Sequence, residues 1–67
     1  MDKTTIDILQ CIILTGSAVI LKEKTRQENA YWELRKAGLI NTTTDTDHHR
    51  VIRLKNHKHE WDVFEYN

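Results

Sequence analysis

Residues 25–40 read TRQENAYWELRKAGLI, and no other part of the chain specifies its local structure so completely. Thr25 and Glu28 stand at the T-x-x-E spacing of a capping box, in which each side chain closes a backbone N–H left open by the first helical turn. Ala30, Tyr31, Leu34 and Ala37 then form the apolar stripe of an amphipathic helix. Gly38 stands where a helix commonly ends in a left-handed residue, with Arg35 and Lys36 near the negative end of the dipole. Start, face and stop agree on a helix over about residues 25–37.

Toward the N-terminus, residues 4–15 read as a first helix. Thr4 is its expected N-cap, with Asp7 placed to favour the positive helix end. Ile6, Leu9 and Ile13 share one face, and Ile8 and Ile12 widen it to about half the cylinder. The many isoleucines leave a strand open as the alternative. Gly16-Ser17 is a break, after which Ser17 can cap a second short helix running to about residue 22 or 23. A short buried strand over residues 18–21 competes with that helix, because four consecutive apolar residues suit either. A helix continuous with residues 25–37 would turn Glu23 and Gln27 toward the apolar stripe and waste the Thr25 cap, so a break near residues 23–25 is preferred.

Beyond Gly38, threonine, valine, isoleucine and aromatics replace the helix formers, which favours strands. Three are expected, at about residues 39–44, 51–55 and 61–66, with polar connections at 45–49 and 56–60. Val51 and Arg53 alternate with Ile52 and Leu54, and either set suits the buried face. The expected architecture is therefore α+β: two to three N-terminal helices followed by a two- or three-stranded antiparallel sheet. At 67 residues the chain makes a single domain, 1–67, close to the smallest size that one core can stabilise.

Composition narrows the functional classes. Apolar residues at 39% and charged residues at 30% fit a folded chain rather than a disordered one. The single cysteine, Cys11, excludes an internal disulfide, fits a reducing compartment and is expected as a small buried residue on a helix. No apolar run approaches the roughly 20 residues of a membrane span, and the Met-Asp-Lys start lacks the pattern of a signal peptide. A cytoplasmic location without membrane contact is the resulting expectation. Ten basic residues balance ten acidic ones, but unevenly: Arg50, Arg53, Lys55, Lys58 and three of the four histidines crowd residues 48–58 without an acid.

Helix, short helix, capped helix ending in L-x-x-x-G-L-I, then a β-hairpin: this order resembles the winged helix-turn-helix domains over roughly residues 4–55. Leu34, Gly38, Leu39 and Ile40 carry the likeness. In that family the leucine packs the recognition helix into the core, the glycine ends it, and the next two apolar residues start the first wing strand. The resemblance implies a small winged-helix-like regulator of phage or mobile-element type that binds double-stranded DNA, acts in transcription and works as a dimer. Helix 25–37 is then the recognition helix, and the loop at 45–49 the wing tip. Arg26 would pair with guanine and Asn29 or Gln27 with adenine, while Lys22, Lys24, Lys36, Arg50, Arg53 and Lys55 would meet phosphates.

A second class is open from the same residues. Trp32 points away from Ala30 and Leu34, and tryptophan is enriched among residues that dominate protein–protein binding energy. Trp32 and Trp61 are thus candidate anchors for a protein partner, in a small binding module or inhibitor of the same fold. Tyr31 is expected in the core, and the alternative for Trp32 is partial cover beneath the sheet. His48, His49, His57 and His59 with Asp45 or Asp47 contain enough ligands for zinc, but their loop positions favour solvated histidines and no metal or other cofactor. No nucleophile–base set or glycine-rich phosphate loop stands out, so no catalytic residue is assigned and a non-enzyme is expected.

Overall fold

The computed structural model describes residues 1–55. Along the chain it forms α1 (Lys3–Thr15), β1 (Ala18–Leu21), α2 (Thr25–Lys36), β2 (Ile40–Asp45) and β3 (His49–Leu54). The strands make one antiparallel sheet in the order β1-β3-β2, so β3 is central. The protein is an α+β domain of two helices and a three-stranded sheet. The expected strand at 61–66 and the connection at 56–60 lie outside the described residues.

Residues 18–21 form a strand, and the short helix capped by Ser17 is not present. Alternation explains the outcome. Ala18 and Ile20 are buried while Val19 and Leu21 face outward, and β3 supplies the backbone partners through Ala18↔Ile52, Val19↔Val51, Ile20↔Arg50 and Leu21↔His49. Those partners lie some thirty positions downstream, beyond the reach of any local pattern.

Helix α1 starts one residue earlier than expected. Asp2, in extended conformation, precedes it, and Thr4 lies within the first turn rather than at the cap. Its inward face also differs. Thr5 and Ile12 are buried, with Ile8 and Leu9 packed alongside, whereas Ile6 and Ile13 are exposed. Spacing of 5, 8, 9 and 12 is as helical as spacing of 6, 9 and 13, and the small Thr5 concealed the true stripe. Cys11 is exposed rather than buried. Gly16 ends the helix at φ +93°, its N–H donating to the Ile12 carbonyl at 2.8 Å.

In α2, the expected capping box does not form. Lys24 occupies the N-cap without a side-chain bond, Thr25 is the first helical residue, and the Glu28 carboxylate is engaged elsewhere. Ala30, Tyr31 and Leu34 are buried as the stripe requires, but Ala37 is exposed. The helix closes with Gly38 at φ +75°, where Gly38 N–H donates to the Arg35 carbonyl and Leu39 N–H to that of Leu34. This pair is the Schellman arrangement, which needs a left-handed residue at that position.

The hairpin is wound more tightly than the sequence indicates. Strand β3 begins at His49, and Thr46 closes the turn by accepting from the His48 and His49 amides while its own N–H donates to the His49 carbonyl. Register shifts between Thr42 and Thr44, leaving Thr43 as an extra residue whose hydroxyl donates to the Val51 carbonyl. Both helices pack on the sheet face carrying Ile20 and Ile52. Ile12, Ala18, Ile20, Tyr31, Leu34, Ile40 and Ile52 form the core. Each fully buried isoleucine or leucine stabilises it by about 1.5–3 kcal/mol.

Candidate binding face on helix α2

Strand alternation places Arg50 on the same side of β3 as Ile52 and Leu54, pointing at α2. Its residue is only 7% exposed. The guanidinium lies 4.2 Å from the centroid of the Tyr31 ring and 5.2 Å from that of Trp32. Nη1 donates to Glu28 Oε1 from helix α2, and Nε to Asp45 Oδ2 of β2 at 3.4 Å. Asp45 in turn accepts Lys22 Nζ at 2.6 Å. Charges thus alternate from Lys22 through Asp45 and Arg50 to Glu28, joining the β1–α2 turn, both hairpin strands and helix α2.

The electrostatics follow from this chain of contacts. The hydrogen bond from Lys22 holds the Asp45 carboxyl below its ordinary 3.8; desolvation opposes it, and the charges of Lys22 and Arg50 with the Arg50 hydrogen bond add to the lowering. Burial works against the charge on Arg50, but the hydrogen bond and charge of Glu28, reinforced by Asp45, outweigh it and raise its pKa. Arg50 is therefore a fixed cation inside the protein. Its expected role at a phosphate gives way to an internal one, because both faces of contact are occupied.

Trp32 sits on the outer edge of this cluster, 53% exposed. Its Nε1–H donates to Glu28 Oε2 at 3.1 Å, and its ring meets Tyr31 edge-on with centroids 5.0 Å apart. Tyr31 is buried and shares a 2.6 Å hydrogen bond with the Thr42 hydroxyl. An exposed indole held by a hydrogen bond, an aromatic contact and a cation has little rotamer freedom left to lose on binding.

The remaining site residues divide by position. Arg26, Asn29 and Lys36 are exposed on α2, Asn29 and Lys36 on the side away from Leu34 and Arg26 on the flank about 80° from it. Lys24 is exposed at the helix start. Gln27 turns inward, where its Oε1 accepts the Leu21 amide at 2.9 Å, so it does not join the outer face. Lys22 is shared with Asp45. Arg53 is exposed, but alternation puts it on the sheet face opposite Ile52, and its Nε reaches the Gly16 carbonyl at 3.4 Å. Lys55 is exposed beyond the end of β3. Trp61 lies outside the described residues.

The β1–α2 turn meets the hairpin tip. The Lys22 amide donates to the His48 carbonyl at 2.9 Å. The hairpin tip and the first turn of α2 therefore occupy the same end of the molecule. Among the described residues, no three His, Cys, Asp or Glu side chains converge as metal ligands, and His57 and His59 are not among them. No helix of the described residues is long and apolar enough to cross a membrane.

Sequence reasoning missed the internal role of Arg50, Glu28 and Asp45. Part of the signal was present: extending the Ile52/Leu54 alternation back by one step puts Arg50 on the buried face. Its carboxylate partners, 22 and 5 positions away, carried no such mark. Comparison with protein-family models, with curated proteins and with solved structures finds no match to this chain.

Proposed function

We propose that this chain is a small DNA-binding regulatory domain of winged-helix type, in which α2 enters the major groove and the β2–β3 hairpin lies along the adjoining backbone. The observation that carries the reading is the exposure of Arg26, Asn29 and Lys36 on α2, with the hairpin tip at the helix's N-terminal end. Recognition helices contact base edges mainly through residues near their N-termini. Arg26 offers two donors to guanine and Asn29 a donor–acceptor pair to adenine, while Lys24 and Lys36 neutralise phosphates. With Arg50 internal and Arg53 on the far sheet face, the cationic contacts per copy are few. A dimer on half-sites about 34 Å apart would double them.

Titrating the protein against duplex DNA at low salt tests this reading. Binding should weaken steeply as salt rises. Arg26→Ala should relax base preference, and Lys36→Ala should lower the salt slope by about 1. A folded protein that shows no binding to any duplex at low salt would overturn it.

The fixed, half-exposed position of Trp32 favours a second reading, a protein-binding module docking through that indole. It predicts that a partner is lost with Trp32→Ala but retained with Arg26→Ala. Under the DNA reading the order of sensitivity reverses.

A further inference from the structure

On the outermost ridge of α2, Asn29, Trp32 and Lys36 stand within about 60° of one another around the helix, opposite buried Leu34. The other exposed residues of α2 are polar or charged, so the indole is the one large apolar group on that surface. An indole ordinarily brings a hydrogen-bond donor with it. Here the donor is engaged. Trp32 Nε1–H donates to Glu28 Oε2 at 3.1 Å, and the other oxygen of that carboxylate accepts from Arg50. The edge-on contact with Tyr31 and the Arg50 guanidinium hold the ring in place. At residue 32 the helix therefore presents a fixed apolar surface whose N–H is already bonded.

Under the DNA reading proposed above, on which this inference rests, that surface selects its own target. Base edges in the major groove present acceptors, amino donors and one apolar group, the C5-methyl of thymine. Of these only the methyl suits a ring whose N–H is taken. We infer that Trp32 is a specificity residue, packing its ring against a pyrimidine 5-methyl group, so that α2 prefers thymine at one position of its site.

Its neighbours fit this role. Asn29 lies three residues before Trp32, about 4.5 Å along the helix axis, and successive bases of one strand are about 3.4 Å apart. An adenine read by Asn29 and a methyl under Trp32 then belong to the same A·T pair or to adjacent ones. The network also accounts for a carboxylate on a helix that faces DNA. Arg50 compensates the charge of Glu28, and Glu28 fixes the indole.

Selecting duplexes from a random-sequence pool on the full chain at low salt gives the site. Each thymine of that site is then replaced in turn by uracil, which pairs identically and lacks the methyl. At one position the replacement should weaken binding about fourfold, the effect of one buried methyl group. In Trp32→Ala, thymine and uracil at that position should bind alike. A similar factor between 5-methylcytosine and cytosine placed there would make the methyl alone the target, and its absence would tie the contact to thymine. Equal binding of thymine and uracil duplexes by the wild-type chain, a comparison that needs no variant to fold, would overturn the inference and leave the DNA reading standing. A thymine preference that survives Trp32→Ala would do the same. A folded chain that binds no duplex would overturn both.

Discussion

Arg50 and Tyr31 are stacked, the guanidinium carbon 4.2 Å from the ring centroid, and that contact joins the hairpin to helix α2. The same guanidinium bridges Glu28 and Asp45. Arg50→Ala removes packing, a cation–π contact and the partner of two carboxylates at once. Because Glu28 and Asp45 keep access to water, the cost should be about 2 kcal/mol rather than the larger penalty of a sealed ion pair. Arg50→Lys should recover only part of it, since an ammonium cannot stack and fork together. Urea unfolding measures both, and equal stability of wild type and Arg50→Ala would refute the structural role.

The lowered Asp45 pKa makes stability depend on pH in a defined direction. A carboxylate whose folded-state pKa lies below its ordinary 3.8 contributes stability that is present above that value and lost as pH falls through the folded one. Urea midpoints should therefore fall as pH drops below about 4. In Asp45→Asn the acid limb should be shallower. Parallel limbs for the two proteins would show that the contact with Lys22 and Arg50 contributes nothing to folding.

Leu34 is fully buried between the helices and the sheet. Truncation to alanine should cost about 2–5 kcal/mol. A chain this small commonly holds a total of about 3–5 kcal/mol. Leu34→Ala should thus be largely unfolded at 25 °C by circular dichroism, and a cooperative transition near the wild-type midpoint would contradict the packing described.

Gly38 tests backbone conformation separately from packing. A Cβ built there meets nothing within 4 Å, so only the φ of +75° resists a side chain. Gly38→Ala should cost about 1–2 kcal/mol. Asn tolerates the left-handed region better, so Gly38→Asn should cost less. Equal penalties for the two variants would mean that the helix ends in some other way.

Trp32 should separate surface from fold. Its half-exposed ring contributes little burial, so Trp32→Ala should lower stability by about 1 kcal/mol or less, mainly through its contacts with Tyr31 and Glu28. A loss comparable to Leu34→Ala would place the indole in the core and remove it as a docking residue.

How much of this was legible locally varies by element. The span of α2, its buried Ala30, Tyr31 and Leu34, and its stop at Gly38 were readable from residues 25–40, because apolar period and glycine conformation are properties of neighbouring residues. The hairpin and its approximate strands were readable from β-branched content. On the candidate face, the exposed positions of Arg26, Asn29, Trp32 and Lys36 followed from helical geometry alone.

Local sequence did not determine what residues 18–21 would become, which flank of α1 would face inward, or where Arg50, Gln27 and Glu28 would point. Two of those outcomes depend on partners far along the chain, Ile52 for Ala18 and Arg50 for the Glu28 carboxylate, and that of Gln27 on the Leu21 amide six residues away across the β1–α2 turn. A polar side chain near a helix start has similar energies at a cap, in water or against a cation. Only the assembled sheet brings the cation close enough to decide. The sequence by itself therefore determined α2, its termination and its outer face. Tertiary structure decided that the arginine expected outside lies within, because a buried guanidinium between two carboxylates and an aromatic ring is stable only after all three elements have met.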